Sequence, residues 1–473
     1  MREAKRAVIV GGGIAGLAAA YRLKQTAPDL ALTLIESDRR LGGKIITERV
    51  GGFVVEGGPD SFLASKPRGV GLCRELGLEE RLYGTNEKQQ RTYIMRSGRL
   101  HELPEGLTGL VPSRFGPIAK TGLISPLGKL RMGLDALIPP CADDGDESLA
   151  AFVERRFGRE VYDRLIEPLM GGIYAGDGKQ LSLAATFPQL KQTELEHGSL
   201  IKGMRAASKK IPMSSEPRNR TAFLTLATGL AEIVEALEAG LGEVEIRLGT
   251  CATRVSADSS QAGYTLTLEN GESLRSDVIL LATPAYVTAD LVADFDPEMA
   301  SVLRSIPYVS TATVSVAYPL REIPRSLDGY GYIIPRAEGR SVLACTWTST
   351  KFPHCAPEGF GLMRVFIGRA GQESVLDGAD EDLLRLAGEE LRATLGITVS
   401  PMFSRIFRWP KAMPQYTLGH LDRLAMIDRR LAGHPGLFIA GSAYRGIGIP
   451  DCIASGEQAA EQVAAFIQAP LCT

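Results

Sequence analysis

Residues 6–21, Arg-Ala-Val-Ile-Val-Gly-Gly-Gly-Ile-Ala-Gly-Leu-Ala-Ala-Ala-Tyr, run from an apolar strand through a glycine turn into a helix, and few folds accommodate that order. Gly11 permits the tight turn, Gly13 lets backbone N–H groups approach a pyrophosphate, and Gly16 lets the helix pack closely on the strand. Gly12, Ile14 and Ala15 complete the turn. A second strand, Ala31 to Ile35, ends at Glu36, placed to accept hydrogen bonds from a ribose 2′-OH. G-x-G-x-x-G alone also suits a purely structural turn. Strand, turn, helix, strand and terminal acid in register favour a dinucleotide site.

Arg40-Leu41-Gly42-Gly43-Lys44 follows Glu36 almost at once, and a second glycine cluster comes at Glu56-Gly57-Gly58-Pro59-Asp60. A nicotinamide dehydrogenase needs neither. In these segments the chain resembles the flavoprotein superfamily of amine oxidases, phytoene desaturases and porphyrinogen oxidases. The resemblance implies FAD, with Arg40, Gly42, Gly43 and Lys44 along its diphosphate and Gly57, Gly58, Pro59 and Asp60 beside the isoalloxazine ring. Near the other end, Leu437 to Gly441 reads as a short buried strand, and Ile447-Gly448-Ile449-Pro450-Asp451 leads into a helix from about Cys452 to Ile467. The N-terminus of such a helix would favour negative charge on a flavin that has received two electrons.

At 473 residues two or three domains are expected. The net charge of −2 gives no sign of a nucleic-acid partner. Seven scattered cysteines without a C-x-x-C pair suit a reducing cytosol. The five histidines lack metal-ligand spacing, so no metal is expected. A strand begins within six residues of Met1, leaving no room for a signal peptide, and the run Ala7 to Tyr21 is short for a bilayer span. The chain reads as cytoplasmic, or peripheral on the inner face of the membrane.

The expected fold is α/β, with a discontinuous Rossmann-like FAD-binding domain (1–66, 222–284 and 411–473), a mixed-sheet substrate domain (67–110 and 285–410) and a helical domain (111–221). A helix ending at Leu241, a strand over Val244 to Leu248, a hairpin turning at Asn270-Gly271 and a buried strand from Val278 continue the first domain. Val255 falls where the resemblance implies contact with the adenine. Leu149, Phe152, Val153, Phe157, Val161, Leu165 and Leu169 recur at helical spacing, with Glu154, Arg155, Arg156, Arg159 and Asp163 assigned to the opposite face. Residues 111–140 carry Phe115, Ile118, Leu123, Ile124 and Leu127 as exposed-looking apolar residues. With them come Arg114, Lys120, Lys129 and Arg131 against the single acid Asp135. Two readings stand: a monotopic membrane patch, or helices covering a substrate cavity.

Finer motifs resemble the protoporphyrinogen and coproporphyrinogen oxidases: Pro168-Leu169-Met170-Gly171-Gly172-Ile173-Tyr174-Ala175-Gly176-Asp177, then Trp409-Pro410, Pro414-Gln415-Tyr416, Gly419-His420-Leu421 and Gly448 to Ile453. By position, the resemblance implies that Arg91 grips a propionate, the Gly172 carbonyl faces pyrrole N–H groups, and Ile333 and Phe352 sandwich rings of the macrocycle. It places Trp409, Ile447, Gly448 and Ile449 against the flavin. Gly441-Ser442 departs from the acid or asparagine that many relatives place near the ribityl chain.

The activity so implied is six-electron oxidation of a porphyrinogen to a porphyrin in heme biosynthesis. Hydride leaves meso carbons for FAD, O2 is the acceptor and H2O2 the by-product. A following heme-pathway enzyme would receive the product. The four basic residues of 111–140 favour the four-carboxylate coproporphyrinogen III over protoporphyrinogen IX. An amine oxidase and a non-catalytic flavin-binding protein are the rival readings. No catalytic acid or base stands out.

Overall fold

The structure is a computed structural model that describes residues 5–104, 107–108, 111–112, 115–141, 145–210, 221–257 and 263–469. Arg114 and the side chain of Phe115, both named above, lie outside the described part.

The opening strand β1 (Arg6–Val10), helix α1 (Ile14–Thr26) and strand β2 (Ala31–Ile35) sit where the pattern puts them. They belong to an all-parallel sheet in the order Glu245–Arg247, β2, β1, Val278–Leu281, Leu437–Ile439, drawn from the start, middle and end of the chain. Alternation along β1 splits its side chains between two cores. Ala7 and Ile9 pack beneath α1, Ala231–Leu241 and the C-terminal helix Ile449–Gln468. Val8 and Val10 pack beneath Ala285–Val292, Pro297–Arg304 and the three-stranded meander over 252–276. The C-terminal helix starts three residues earlier than its apolar pattern suggests, because Pro450 fits a first helical turn.

A second sheet has seven strands in the order Phe403–Pro414, Tyr308–Pro319, Phe360–Ile367, Val342–Thr346, Gly329–Ile333, Arg91–Arg96, Arg99–Glu102. Its neighbours run antiparallel except Gly329–Ile333 with Arg91–Arg96. One face buries Tyr93, Met95, Tyr332 and Trp347 against helix Asp380–Leu395. On the other face lie Ile94 and its register partner Ile333, then Ala344 and Phe366, turned toward the helical segment of residues 115–210.

That segment departs from its amphipathic pattern in three respects. The run Leu149 to Leu169 is interrupted: Leu149–Phe157 stops at Gly158, whose φ of +91° no side chain tolerates well, and a π-helical stretch Tyr162–Ile166 follows before Glu167–Tyr174. Arg156, assigned to the solvent face, is fully buried and pairs with Asp135 at 2.5 Å and Glu194 at 3.3 Å. Asp135 also accepts from the Ser199 hydroxyl and the Ile201 N–H, so the acid counted against the basic cluster belongs to an internal network. Finally, Ile118, Leu123 and Ile124 are core residues, whereas Leu127, Leu130 and Leu137 stand 79%, 66% and 79% exposed.

Candidate active site

In the glycine turn, protein packing dictates three of the four glycines. Gly11 has φ +107° and its missing Cβ leaves room for the Ala282 carbonyl at 2.7 Å, a Cβ on Gly12 would press on Leu41, and one on Gly16 would collide with the Gly11 carbonyl. Gly13 is different: its backbone (φ −70°, ψ 176°) suits any residue and a Cβ there meets no protein atom within 4 Å. The bare surface at Gly13 therefore serves something other than the fold, and a pyrophosphate fits it. Gly13 bridges to Gly42, and Gly43 lies across from the Gly13 Cα, so the second glycine pair closes over the same spot. Arg40 holds that pair by donating to the carbonyls of Leu41, Gly43 and Ile45.

Glu36 accepts from the N–H of Gly12 at 2.7 Å and of Asp38 at 2.8 Å, which fixes its carboxylate at the end of β2. Ile14 and Ala15 open α1. Gly456, two turns into the C-terminal helix, touches the Ala15 carbonyl so closely that a Cβ would not fit, so that helix packs across the start of α1. The first N–H groups of α1 and its positive dipole end lie at the open Gly13 surface. Val255 is buried in the meander. Lys44 makes no ion pair among the described residues, and burial lowers its ammonium pKa.

The Glu56–Asp60 segment crosses the face of the seven-stranded sheet. The Gly57 carbonyl accepts from Trp409 Nε1 (2.9 Å), Thr313 Oγ1 (3.2 Å) and Arg364 Nη2 (3.1 Å), and Arg364 Nη2 also donates to the Gly58 carbonyl. Gly57 lies against the Phe407 ring and Gly58 against the Lys44 carbonyl, both too close for a Cβ. Pro59 leads to Asp60, whose carboxylate takes two 3.0 Å contacts from Lys351. Burial pushes Asp60 up, but Lys351 and Arg364 outweigh it and leave its carboxyl below the usual range. Glu56 is buried with only neutral donors, the Leu230 N–H and the Thr47 hydroxyl at 2.7 Å each, and burial raises it to about 7.

The two motif stretches that the sequence singled out meet in space. Ser182 donates to the Tyr416 carbonyl, Leu418 to that of Gln180, and the Gln415 side chain to that of Tyr174 at 2.9 Å. Tyr416 stacks on His420 at 4.1 Å. Its hydroxyl donates to the Ser442 carbonyl and accepts from the Gly446 N–H, both at 2.7 Å. These bonds fix the turn holding Ile447, Gly448 and Ile449 at the mouth of the C-terminal helix. At the departure noted above, the Gly441 N–H finds the Ser455 hydroxyl at 3.0 Å.

Of the four residues assigned to the substrate, the structure unites two. Gly172 is exposed, and a Cβ on it would sit 3.7 Å from Ile333. Arg91 shares the parity of Tyr93 and lies on the opposite face of the sheet, where both bind Asp328, Arg91 at 2.9 Å and Tyr93 at 2.8 Å. Phe352, 1% exposed, is packed among Phe53, Val55 and Leu362. Phe366 does share the sheet face of Ile333, and its half-exposure amid buried neighbours marks it as lining the open side. Alternation along Leu362 to Ile367 could have found it. Arg131 is also spoken for, since it donates to the carbonyls of Arg155 (2.8 Å) and Arg156 (3.2 Å) at the end of a helix.

A parallel sheet with a glycine turn open to a pyrophosphate, roofed by a mixed sheet, defines an FAD-dependent oxidoreductase. Comparisons with known proteins agree. The pattern of the family described as flavin containing amine oxidoreductase matches residues 14–464. Coproporphyrinogen III oxidase of Bacillus subtilis (strain 168) is 38% identical over 98% of either chain. The enzyme of that name from Staphylococcus aureus is 36% identical over 98% of this chain and 99% of its own. Protoporphyrinogen oxidase 1 of Arabidopsis thaliana chloroplasts is 32% identical over 97% of this chain and 88% of its own. A crystal structure from Exiguobacterium sp. 255-15, assigned to the protoporphyrinogen oxidases, superposes with a TM-score of 0.86 at 35% identity over 98% of this chain and 99% of that one. The chain belongs to the flavin-containing amine oxidoreductases, in their porphyrinogen-oxidase branch.

Proposed function

We propose that the protein oxidises coproporphyrinogen III to coproporphyrin III in heme biosynthesis, with three O2 reduced to three H2O2 for the six electrons and six protons removed. The observation that carries this reading is the greater identity to coproporphyrinogen III oxidases, 38% and 36%, than to chloroplast protoporphyrinogen oxidases, 32% and 31%, over nearly the whole chain. Bound FAD supplies the two-electron acceptor. The chain's own residues position it: the backbone of Gly11 to Gly16 and Gly42 to Lys44 receives the pyrophosphate, Glu36 the ribose, and Gly57 to Asp60, Trp409 and the 447–449 turn the ring. Gly172, Ile333 and Phe366 form the wall against which the macrocycle lies, and orientation rather than a dedicated base carries the reaction.

Product analysis tests this reading. Aerobic turnover of coproporphyrinogen III yields one porphyrin per three H2O2, whereas oxidation of simple amines in its place supports the amine-oxidase alternative. No turnover of either with FAD bound supports a non-catalytic flavoprotein.

Among the described residues no helix is long and apolar enough to cross a membrane. A stripe of exposed Leu127, Leu130, Leu134 and Leu137 on one helix and the turn after it supports peripheral contact with a lipid surface. In that position the product passes to a following enzyme of the pathway at the inner face of the membrane.

A further inference from the structure

Among the described residues, Arg364 is the guanidinium that reaches the Gly57 and Gly58 carbonyls, and its partners are unusual. The residue is 4% exposed at the centre of the seven-stranded sheet. Among the described residues, no carboxylate pairs with it within salt-bridge distance. Asp60 is taken by Lys351 at 3.0 Å, and Glu56 by the Leu230 N–H and the Thr47 hydroxyl. Arg364 instead gives Nη2 to the carbonyls of Gly57 and Gly58, lies 4.8 Å from the Phe366 ring centroid, and leaves Nε buried without a partner. The Asp60 carboxylate acts on Arg364 only at longer range and is shared with Lys351, so two cations meet one carboxylate beside the Gly57 and Gly58 carbonyls. A buried excess of positive charge is costly in isolation and favours negative charge brought nearby.

We propose that Arg364 is a positioning residue for electron transfer: it clamps the Gly57 and Gly58 carbonyls at the flavin edge and supplies positive charge that stabilises the two-electron-reduced cofactor. The inference rests on the reading that FAD lies along Gly57 to Asp60, and not on which porphyrinogen is oxidised. Trp409 and Thr313 bond the Gly57 carbonyl as well, so the turn has other supports and the charge of Arg364 is its separable contribution.

The test compares two substitutions in the holoenzyme. R364Q keeps a donor for the carbonyls and loses the charge, whereas R364K keeps the charge and loses the planar fork. Flavin midpoint potential, FAD dissociation constant and steady-state kinetics are measured on each. R364Q is expected to shift the reduced-to-oxidised ratio at fixed potential by about tenfold, a fall of about 30 mV for a two-electron couple. Its kcat is expected to fall on the order of tenfold with KM changed by less than about twofold. R364K is expected to keep the wild-type potential while holding FAD more weakly. Should R364Q not accumulate as folded protein, R364M provides the uncharged arm. A potential in the uncharged variant equal to that of wild type, or an equal fall in R364K, overturns the proposal. A fall confined to the uncharged variant in a protein that oxidises neither porphyrinogen sustains it while removing the functional reading.

Discussion

Replacing Gly13 with leucine separates the fold from the cofactor. Because no protein atom lies within 4 Å of a Cβ there and the backbone angles are ordinary, the substituted chain still folds. Its cost is the loss of glycine at a helix N-cap, about 1 kcal/mol. FAD fares differently. The side chain occupies the space through which the pyrophosphate reaches the first N–H groups of α1, and each charge-assisted hydrogen bond so lost is worth about 1.5–3 kcal/mol. Two such bonds lower affinity by at least about a hundredfold. Gly16→Ala is the control, since its Cβ would collide with the Gly11 carbonyl and the helix could stay on the strand only by shifting. Absorbance of the purified protein and thermal melting with and without added FAD read both effects. Gly13→Leu should be colourless, melt within a few degrees of wild-type apoprotein, and gain nothing from FAD. Saturating ligand should raise the wild-type stability by about 2.7 kcal/mol at a hundred times its dissociation constant. Full flavin content in Gly13→Leu would show that the pyrophosphate does not lie at Gly13, and an unfolded apoprotein would show that the fold itself needs this glycine.

Further outcomes follow from the same geometry. Glu56, raised from 4.5 to about 7, is protonated in the native state at pH values where the unfolded chain has released its proton. Its contribution is thus complete below about pH 4.5 and declines as pH rises through 7, by up to about 3 kcal/mol. Urea midpoints should therefore fall between pH 5.5 and 8 in wild type and less steeply in Glu56→Gln; equal slopes would count against it. Arg156→Met strands Asp135 in the core and should cost about 3–5 kcal/mol, whereas Arg159→Met, 78% exposed at the side chain, should cost under about 0.5 kcal/mol. Similar urea midpoints for the two would contradict the buried network. Serine at Leu127, Leu130 and Leu137 together should reduce vesicle co-sedimentation by at least about a hundredfold, at roughly 1.5–3 kcal/mol per buried leucine, and leave turnover in solution intact. Undiminished sedimentation of the triple variant would dismiss the stripe.

The nucleotide-binding half was legible because its constraints are local. The turn at Gly11 to Gly16 needs particular residues within six positions, and the strands around it alternate or bury completely. The Glu56, Asp60, Lys351 and Arg364 cluster was not legible, since its members come from segments some 300 residues apart that only the sheet brings together. Arg156 was misread for the same reason: helical periodicity sees its neighbours on Leu149–Phe157 but not Asp135 upstream or Glu194 downstream. Arg91 shows the complementary case. Its position in a motif was visible, but the face it takes depends on pairing with Gly329–Ile333, which sends Tyr93 and Arg91 one way and Ile94 the other. Gly158 ended a helix that the apolar spacing alone would have continued.

Substrate choice decides the function, and it is read by a side-by-side aerobic assay of purified holoenzyme with coproporphyrinogen III and protoporphyrinogen IX. Porphyrin fluorescence follows formation of each product, and kcat/KM is compared under one set of conditions. Coproporphyrinogen III should show the higher kcat/KM, by about tenfold or more if the extra carboxylates gain even one favourable charged contact. A higher value for protoporphyrinogen IX, or turnover of neither by flavin-loaded protein, would contradict it.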